Sequence, residues 1–410
     1  MIKNELRELA LFGGEPAFPD KLYVGRPNIG DRERLLSRIN DMLDRRWLTN
    51  NGPYVQELEG QLASLLGVKH CIAMCNATVA LEIAIRAVGM TGEVIVPSMT
   101  FVATAHALQW QQITPVFADV DPRTHNLDPA RVEALITPRT TGIIGVHLWG
   151  RACAPDELAD LARRRGLSLL FDAAHAFGCS YQGRMIGNFG DAEVFSFHAT
   201  KFYNAFEGGA VTTNDDDLAA RIRLMKNFGF AGFDRVVHVG TNGKMSEVSA
   251  AMGLTSLESM GEFIEVNRRN YERYRQGLAG IAGVTMIRYD DRERCNFQYI
   301  VLEVDESVTG VPRDHLIDAL WAENVVARRY FWPGCHRMEP YRSYQPNAGL
   351  LLPETERVVE RLVSLPTGTG VTDSQIDAIC AMISLVVRSA PEFRDRRLAA
   401  AGAVSASTAG

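Results

Sequence analysis

Lys201 stands in the stretch VFSFHATKFYNAFEGGAVTTND, 29 residues after Asp172 in SLLFDAAHAFGC. The lysine lies beyond a β-rich run and before a Gly-Gly turn, and the acid ends an apolar run. An amine so placed can condense with an aldehyde, while the acid keeps a heteroaromatic nitrogen protonated so that its ring accepts electrons. Each residue alone has a plainer use. Lysines after strands are usually solvated, and an Asp at a strand end commonly caps a turn or a helix. The pair acquires weight from what surrounds it in the chain.

The segments NATVALEIAI, VPSMTFVATAHAL, VFADVD, HLWG, FDAAHAFG, FSFHATK with EGGA, and GTNGKMSEVSAAMGL follow one another in that order. Through them the chain resembles the DegT/DnrJ/StrS family of sugar-nucleotide aminotransferases, from about residue 25 to about residue 385. The form FSFHATKFYNAFEGGA, with Ala-Thr before the lysine and Phe before Glu-Gly-Gly, is most similar to the members that aminate C4 of dTDP-4-keto-6-deoxyglucose. The resemblance implies a pyridoxal 5′-phosphate enzyme of fold type I, like the aspartate aminotransferases. It would be a homodimer with shared active sites, taking a nucleotide-linked ketosugar and glutamate.

Carried onto this sequence, the resemblance makes Lys201 the covalent attachment point and the proton-moving base, and Asp172 the partner of the pyridine nitrogen. A desolvated lysine near positive charge can approach the neutral pKa that a base needs. His175 is expected beside the cofactor's phenolic oxygen, where many members have glutamine. Ala77 and Thr78 open the helix TVALEIAIRAV, whose free N–H groups and positive dipole end suit a phosphate. The family's Ser-Gly-Thr is Asn-Ala-Thr here, so the turn must avoid positive φ at Ala77. Phe101 would stack on the ring, Ser196 would bond the phosphate, and Asn242 would reach the phosphate from the neighbouring subunit. Asn204, Lys244, Arg329 and Tyr330 are the candidates for the sugar nucleotide, as cations for a diphosphate or an aromatic for sugar or base.

The elements that must hold these groups alternate from residue 68 onward. HCIAMC, EVIVP, TPVFADV, TGIIGVHLWG and LSLLFDAA are short β-branched runs separated by 3.6-period segments, the mark of βαβ units and a mostly parallel, doubly wound sheet. Ligands of such sheets bind at the carboxyl ends of strands, which puts Asp172 and the Asn76-Ala77-Thr78 turn on one edge. Residues 1–265 are therefore expected to form a large cofactor domain with an N-terminal arm, and 266–390 a smaller α+β domain. In the latter VTMIRY, NFQYIVLEV and VVARRYF read as strands, and PRDHLIDALWAEN and TDSQIDAICAMISLVVRSA as helices. Residues 391–410, small and aperiodic, are expected to be a disordered tail.

Composition narrows the partners. At 410 residues one core is too small for the chain, and a net charge of −6 offers no general attraction to nucleic acid. No apolar run approaches the roughly 18–20 residues of a membrane span and the start lacks a signal-peptide pattern, so a cytoplasmic location is expected. The seven cysteines lack paired metal-ligand spacing and read as buried free thiols. No metal is expected. Among rivals, a sugar 3-dehydratase of this fold would carry histidine where Lys201 stands, and a nicotinamide enzyme would show a Gly-x-Gly-x-x-Gly turn. A C3-aminating transaminase and a non-catalytic cofactor-binding regulator are the alternatives to C4 amination.

Overall fold

The computed structural model describes residues 2–408, with side chains through Ala399. After a two-residue strand β1 (Leu22–Tyr23), the chain lays down β2 (His70–Met74), β3 (Glu93–Pro97), β4 (Thr114–Ala118), β5 (Thr140–Val146) and β6 (Ser168–Asp172). A small hairpin of β7 (Ser180–Tyr181) and β8 (Arg184–Met185) precedes β9 (Ala192–Ser196) and β10 (Gly209–Thr213). The seven-stranded sheet has the order β2-β10-β9-β6-β5-β3-β4. Only β10 runs against its neighbours; the pairs among β9, β6, β5, β3 and β4 are all parallel. Helices cover both faces, which is why β3 and β9 are buried along their whole length and read as unbroken rather than alternating runs.

The second sheet joins β11 (Val284–Met286), β12 (Ile300–Val304) and β14 (Leu362–Leu365) in antiparallel order. Between them, the segment VVARRYF forms a strand only as β13 (Val325–Val326), which pairs with β1. Beyond it a single bridge, Arg328 to Ser364, ties the extended chain to β14. The helix Met260–Gly277 spans the expected boundary near residue 265: Phe263 belongs to the core under the large sheet, whereas Tyr271 and Tyr274 belong to the small-domain core.

Two segments lie elsewhere than the sequence suggested. The N-terminal arm packs with the small domain, where Leu6, Leu9, Phe18 and Leu22 join Leu320, Val325 and Ile379 in one core. The fully buried Glu323 carboxylate accepts from the backbone N–H groups of Ala10 and Ala17, both at 2.6 Å. The expected disordered tail instead begins as a helix, Ala390–Thr408, with Phe393 fully buried beside Phe12 and Arg397 paired with Asp318. Alanine has the highest intrinsic helix propensity, and a buried Phe anchor adds about 2 to 3 kcal/mol. Residues 409–410 of that tail lie outside the described residues. All seven cysteines are free; five are buried, and Cys75 and Cys295 are partly exposed.

Candidate active site

The carboxyl ends of β2, β3, β6 and β9 converge on a cavity of about 350 Å³ between the two domains. Eight of the expected residues line it: Ala77, Thr78, Phe101, Asp172, His175, Ser196, Lys201 and Tyr330. At its floor the strand β2 turns into the helix Ala77–Ala87 through Asn76, whose side chain accepts from Val79 N at 2.9 Å. The cap residue is extended, and Ala77 is already helical, so no positive φ is needed. Among the described residues no protein acceptor faces the N–H groups of Ala77 and Thr78, which leaves two donors at a positive helix end. Gly209 allows this: a Cβ there would lie 2.8 Å from Ala77 N, Asn76 C and Phe195 O.

Asp172 closes β6 and is buried. Its Oδ2 accepts from Thr104 Oγ1 at 2.8 Å, and its Oδ1 from Ala174 N at 3.1 Å. Thr104 Oγ1 in turn lies 3.0 Å from Thr100 Oγ1, so two buried hydroxyls line up behind the acid. Burial raises the Asp172 pKa, while the Thr104 hydroxyl, the Ala174 N–H and the charge of Lys201 oppose that rise. Lys201 Nζ donates to Tyr299 Oη at 3.2 Å and lies 5.9 Å from the ring centre. Removal from water lowers its pKa to about 8, against the pull of Asp172.

Above these groups sits an aromatic wall. His175 stacks on Trp149 at 5.7 Å and on Phe331 at 5.8 Å, and meets Tyr299 at 4.3 Å between ring centres. Phe101, 59% exposed on the cavity, leans toward Phe331 at 6.3 Å. The residues fit a planar, anionic, aldehyde-bearing ring: an amine with a lowered pKa for its carbonyl, a buried carboxylate for a ring cation, a flat aromatic face and a helix end for a phosphate.

Four expected residues do not line this cavity. Asn204 is buried and structural: its Nδ2 donates to Asn28 O at 2.9 Å and its Oδ1 accepts from Phe206 N. Arg329 turns the other way, to Asp314 and the Trp321 ring. Lys244 lies 4.6 Å over the Phe228 ring, and Asn242 is exposed on the neighbouring bridge to Asn227. In their place the structure brings in Tyr299, Phe331 and Arg328, whose guanidinium lies 5.3 Å over the Tyr330 ring. Arg328 and Tyr330 share one side of an extended segment and Arg329 takes the other, so period-2 alternation was the signal that separates the two arginines.

Comparison with known proteins agrees with this geometry. Residues 30–384 match the DegT/DnrJ/EryC1/StrS aminotransferase family. The chain is 40% identical over 312 residues to dTDP-4-amino-4,6-dideoxy-D-glucose transaminase of Shigella dysenteriae, spanning 76% of this chain and 85% of that one. It is 37% identical over 372 residues to GDP-perosamine synthase of Caulobacter vibrioides, spanning 90% and 98% of the two chains. A crystal structure of DesI in the presence of its TDP-sugar product superposes with a TM-score of 0.91 at 53% identity, covering 97% of this chain and 99% of that one. The chain therefore belongs to the DegT/DnrJ/EryC1/StrS family and is a pyridoxal phosphate-dependent sugar aminotransferase.

Proposed function

We propose that the enzyme moves the amino group of glutamate to C4 of a dTDP-linked 4-keto-6-deoxyhexose, giving the 4-amino-4,6-dideoxy sugar. The observation that carries this reading is the 53% identity, over nearly the whole chain, to DesI in the presence of its TDP-sugar product. The dTDP-4-amino sugar in the name of the Shigella relative supports both the nucleotide and the carbon.

When bound, pyridoxal phosphate supplies the carbonyl that takes up the amine and the ring that accepts electrons. Lys201 would hold it through Nζ and, as a free amine, would serve as the base that carries a proton to and from the donor's Cα. Its lowered pKa suits a base near neutral pH. Asp172, which accepts from the Thr104 hydroxyl and the Ala174 N–H, would pair with the ring N–H. Ala77, Thr78 and Ser196 would hold its phosphate, Phe101 would lie against its ring, and His175 would supply a polar group to its phenolic oxygen. Arg328 and Tyr330 stand toward the substrate, with the guanidinium available to a carboxylate or diphosphate. A second copy of the chain covers the loop that exposes Phe233 (99%) and Val239 (71%), and through that contact Asn242 reaches the neighbour's phosphate.

The test offers the enzyme dTDP-4-keto-6-deoxyglucose, dTDP-3-keto-6-deoxyglucose, or the GDP- and UDP-linked 4-keto sugars with glutamate and locates the new amine by NMR. Amination at C4 of the dTDP sugar is expected. Exclusive C3 amination, or a strict preference for a GDP or UDP sugar, refutes the assignment.

A further inference from the structure

The turn after β5 carries a residue in a conformation its type avoids. Trp149 has φ 60° and ψ 13°, in the left-handed region where a bulky side chain is a genuine outlier, and Gly150 follows at φ 83°. The turn is anchored on both sides. Leu148 N donates to Asn126 Oδ1 at 3.1 Å, and His147, fully buried, accepts from Cys153 N at Nδ1 and bonds Glu193 Oε2 through Nε2 at 3.0 Å. The Trp149 side chain is itself fully buried, parallel to the Phe331 ring within 8°.

This backbone directs the Trp149 N–H at His175 Nδ1, 3.3 Å away. A backbone N–H can only donate, so Nδ1 is the accepting, unprotonated nitrogen. Burial and the nearby Lys201 charge push the imidazole pKa well below its ordinary value, so the ring is neutral and its one proton sits on Nε2. Among the described residues Nε2 has no protein partner, and His175 lines the cavity.

We propose that Trp149 is a positioning residue whose left-handed backbone locks His175 in the Nε2–H tautomer, making it a fixed hydrogen-bond donor toward the cofactor's phenolic oxygen. This rests on the reading that His175 faces that oxygen. A histidine free to exchange tautomers would present an acceptor to an anionic oxygen part of the time; the locked one never does. The turn thus does for histidine what an amide side chain achieves with its NH₂ group, whose oxygen can accept the same Trp149 N–H.

The test uses protein labelled with ¹⁵N-histidine, as apoenzyme and holoenzyme, with Trp149→Gly, Trp149→Val, His175→Gln and His175→Phe. Glycine tolerates the left-handed backbone and keeps the N–H; valine does not tolerate it. Wild type and Trp149→Gly should show His175 protonated at Nε2 alone, and Trp149→Val a mixture of tautomers. A donor lost from the phenolic oxygen makes that oxygen hold its proton more tightly. The pH midpoint of the visible band should therefore rise by about one unit, tenfold in proton affinity, in Trp149→Val and His175→Phe, and stay near wild type in His175→Gln. Protonation at Nδ1 in the wild type overturns the proposal even if Trp149→Val does not fold. An unmoved midpoint in His175→Phe refutes the contact with the phenolic oxygen, and with it the proposal, whatever the tautomer.

Discussion

Gly209 gives the sharpest test of how the phosphate is held. Its α-carbon lies under the start of the helix Ala77–Ala87, where a methyl group would stand 2.8 Å from Ala77 N, Asn76 C and Phe195 O. All three are backbone atoms of a strand or a helix start, so none can swing aside as a side chain would. Ordinary contact requires a separation greater by more than half an ångström, and the gap must open between β10 and the helix end. Overpacking of this kind costs about 1 to 3 kcal/mol. If the helix end takes the strain, Gly209→Ala should weaken pyridoxal phosphate binding by about 5- to 150-fold, since 1.4 kcal/mol corresponds to a factor of ten. Pyridoxal without its phosphate supplies the control. Fluorescence titration of the apoenzyme with each compound should show a large loss for the phosphorylated form and little for the other. Equal losses, or none, would refute the view that the N–H groups of Ala77 and Thr78 form the phosphate cradle.

Two further outcomes follow from the charges around Lys201. With a pKa of about 8, its amine is roughly one-tenth neutral at pH 7, against well under a thousandth for an ordinary lysine, so capture of pyridoxal phosphate by the apoenzyme should quicken tenfold per pH unit and level off above pH 8. The unfolded chain holds the Lys201 proton up to about pH 10.5 and the folded apoenzyme only to about 8, so this group makes stability increase with pH between those limits; rapid-mixing absorbance and denaturant titration at several pH values check both signs. Asp172→Asn should leave the Lys201 attachment intact, as borohydride labelling would show, yet lower turnover by about 10²-fold or more. The amide oxygen is drawn to the Ala174 N–H and its NH₂ to Thr104, leaving no acceptor for the ring N–H; near wild-type turnover would show that Asp172 is not the ring's partner.

The parts of the site that were legible in the sequence are those built by the turn following a single strand. Asp172, Lys201, Thr78 and Phe101 each lie within a few residues of the strand that delivers them, so local pattern and chemistry coincide. Tyr299 and Arg328 were not legible because they come from the small domain, and only the packing of that domain on the large one turns them toward Lys201. Asn204 misled for the opposite reason. Proximity to Lys201 in the chain suggested a ligand contact, but the segment folds under the sheet and spends the amide on Asn28. The Ala-rich C-terminal stretch has the composition of a linker, and the buried site that receives Phe393 is formed by residues far away in sequence.

The attachment of the N-terminal arm has a consequence for how the chain is made. Leu22 and Tyr23 pair with Val325 and Val326, and Leu9 packs in a core whose other members extend to Phe393. On a ribosome working at about 5 to 20 residues per second, the arm emerges about 15 to 60 seconds before β13 exists to receive it. During that interval the large sheet can close on its own, since β2 through β10 are contiguous in the chain apart from the small hairpin. The small domain cannot. It is assembled from segments about 300 residues apart in the chain, so the arm's apolar side chains stay open to chaperones or to other nascent chains until β13 and the helices packed against it have been made, and the interdomain cavity acquires its second wall only then.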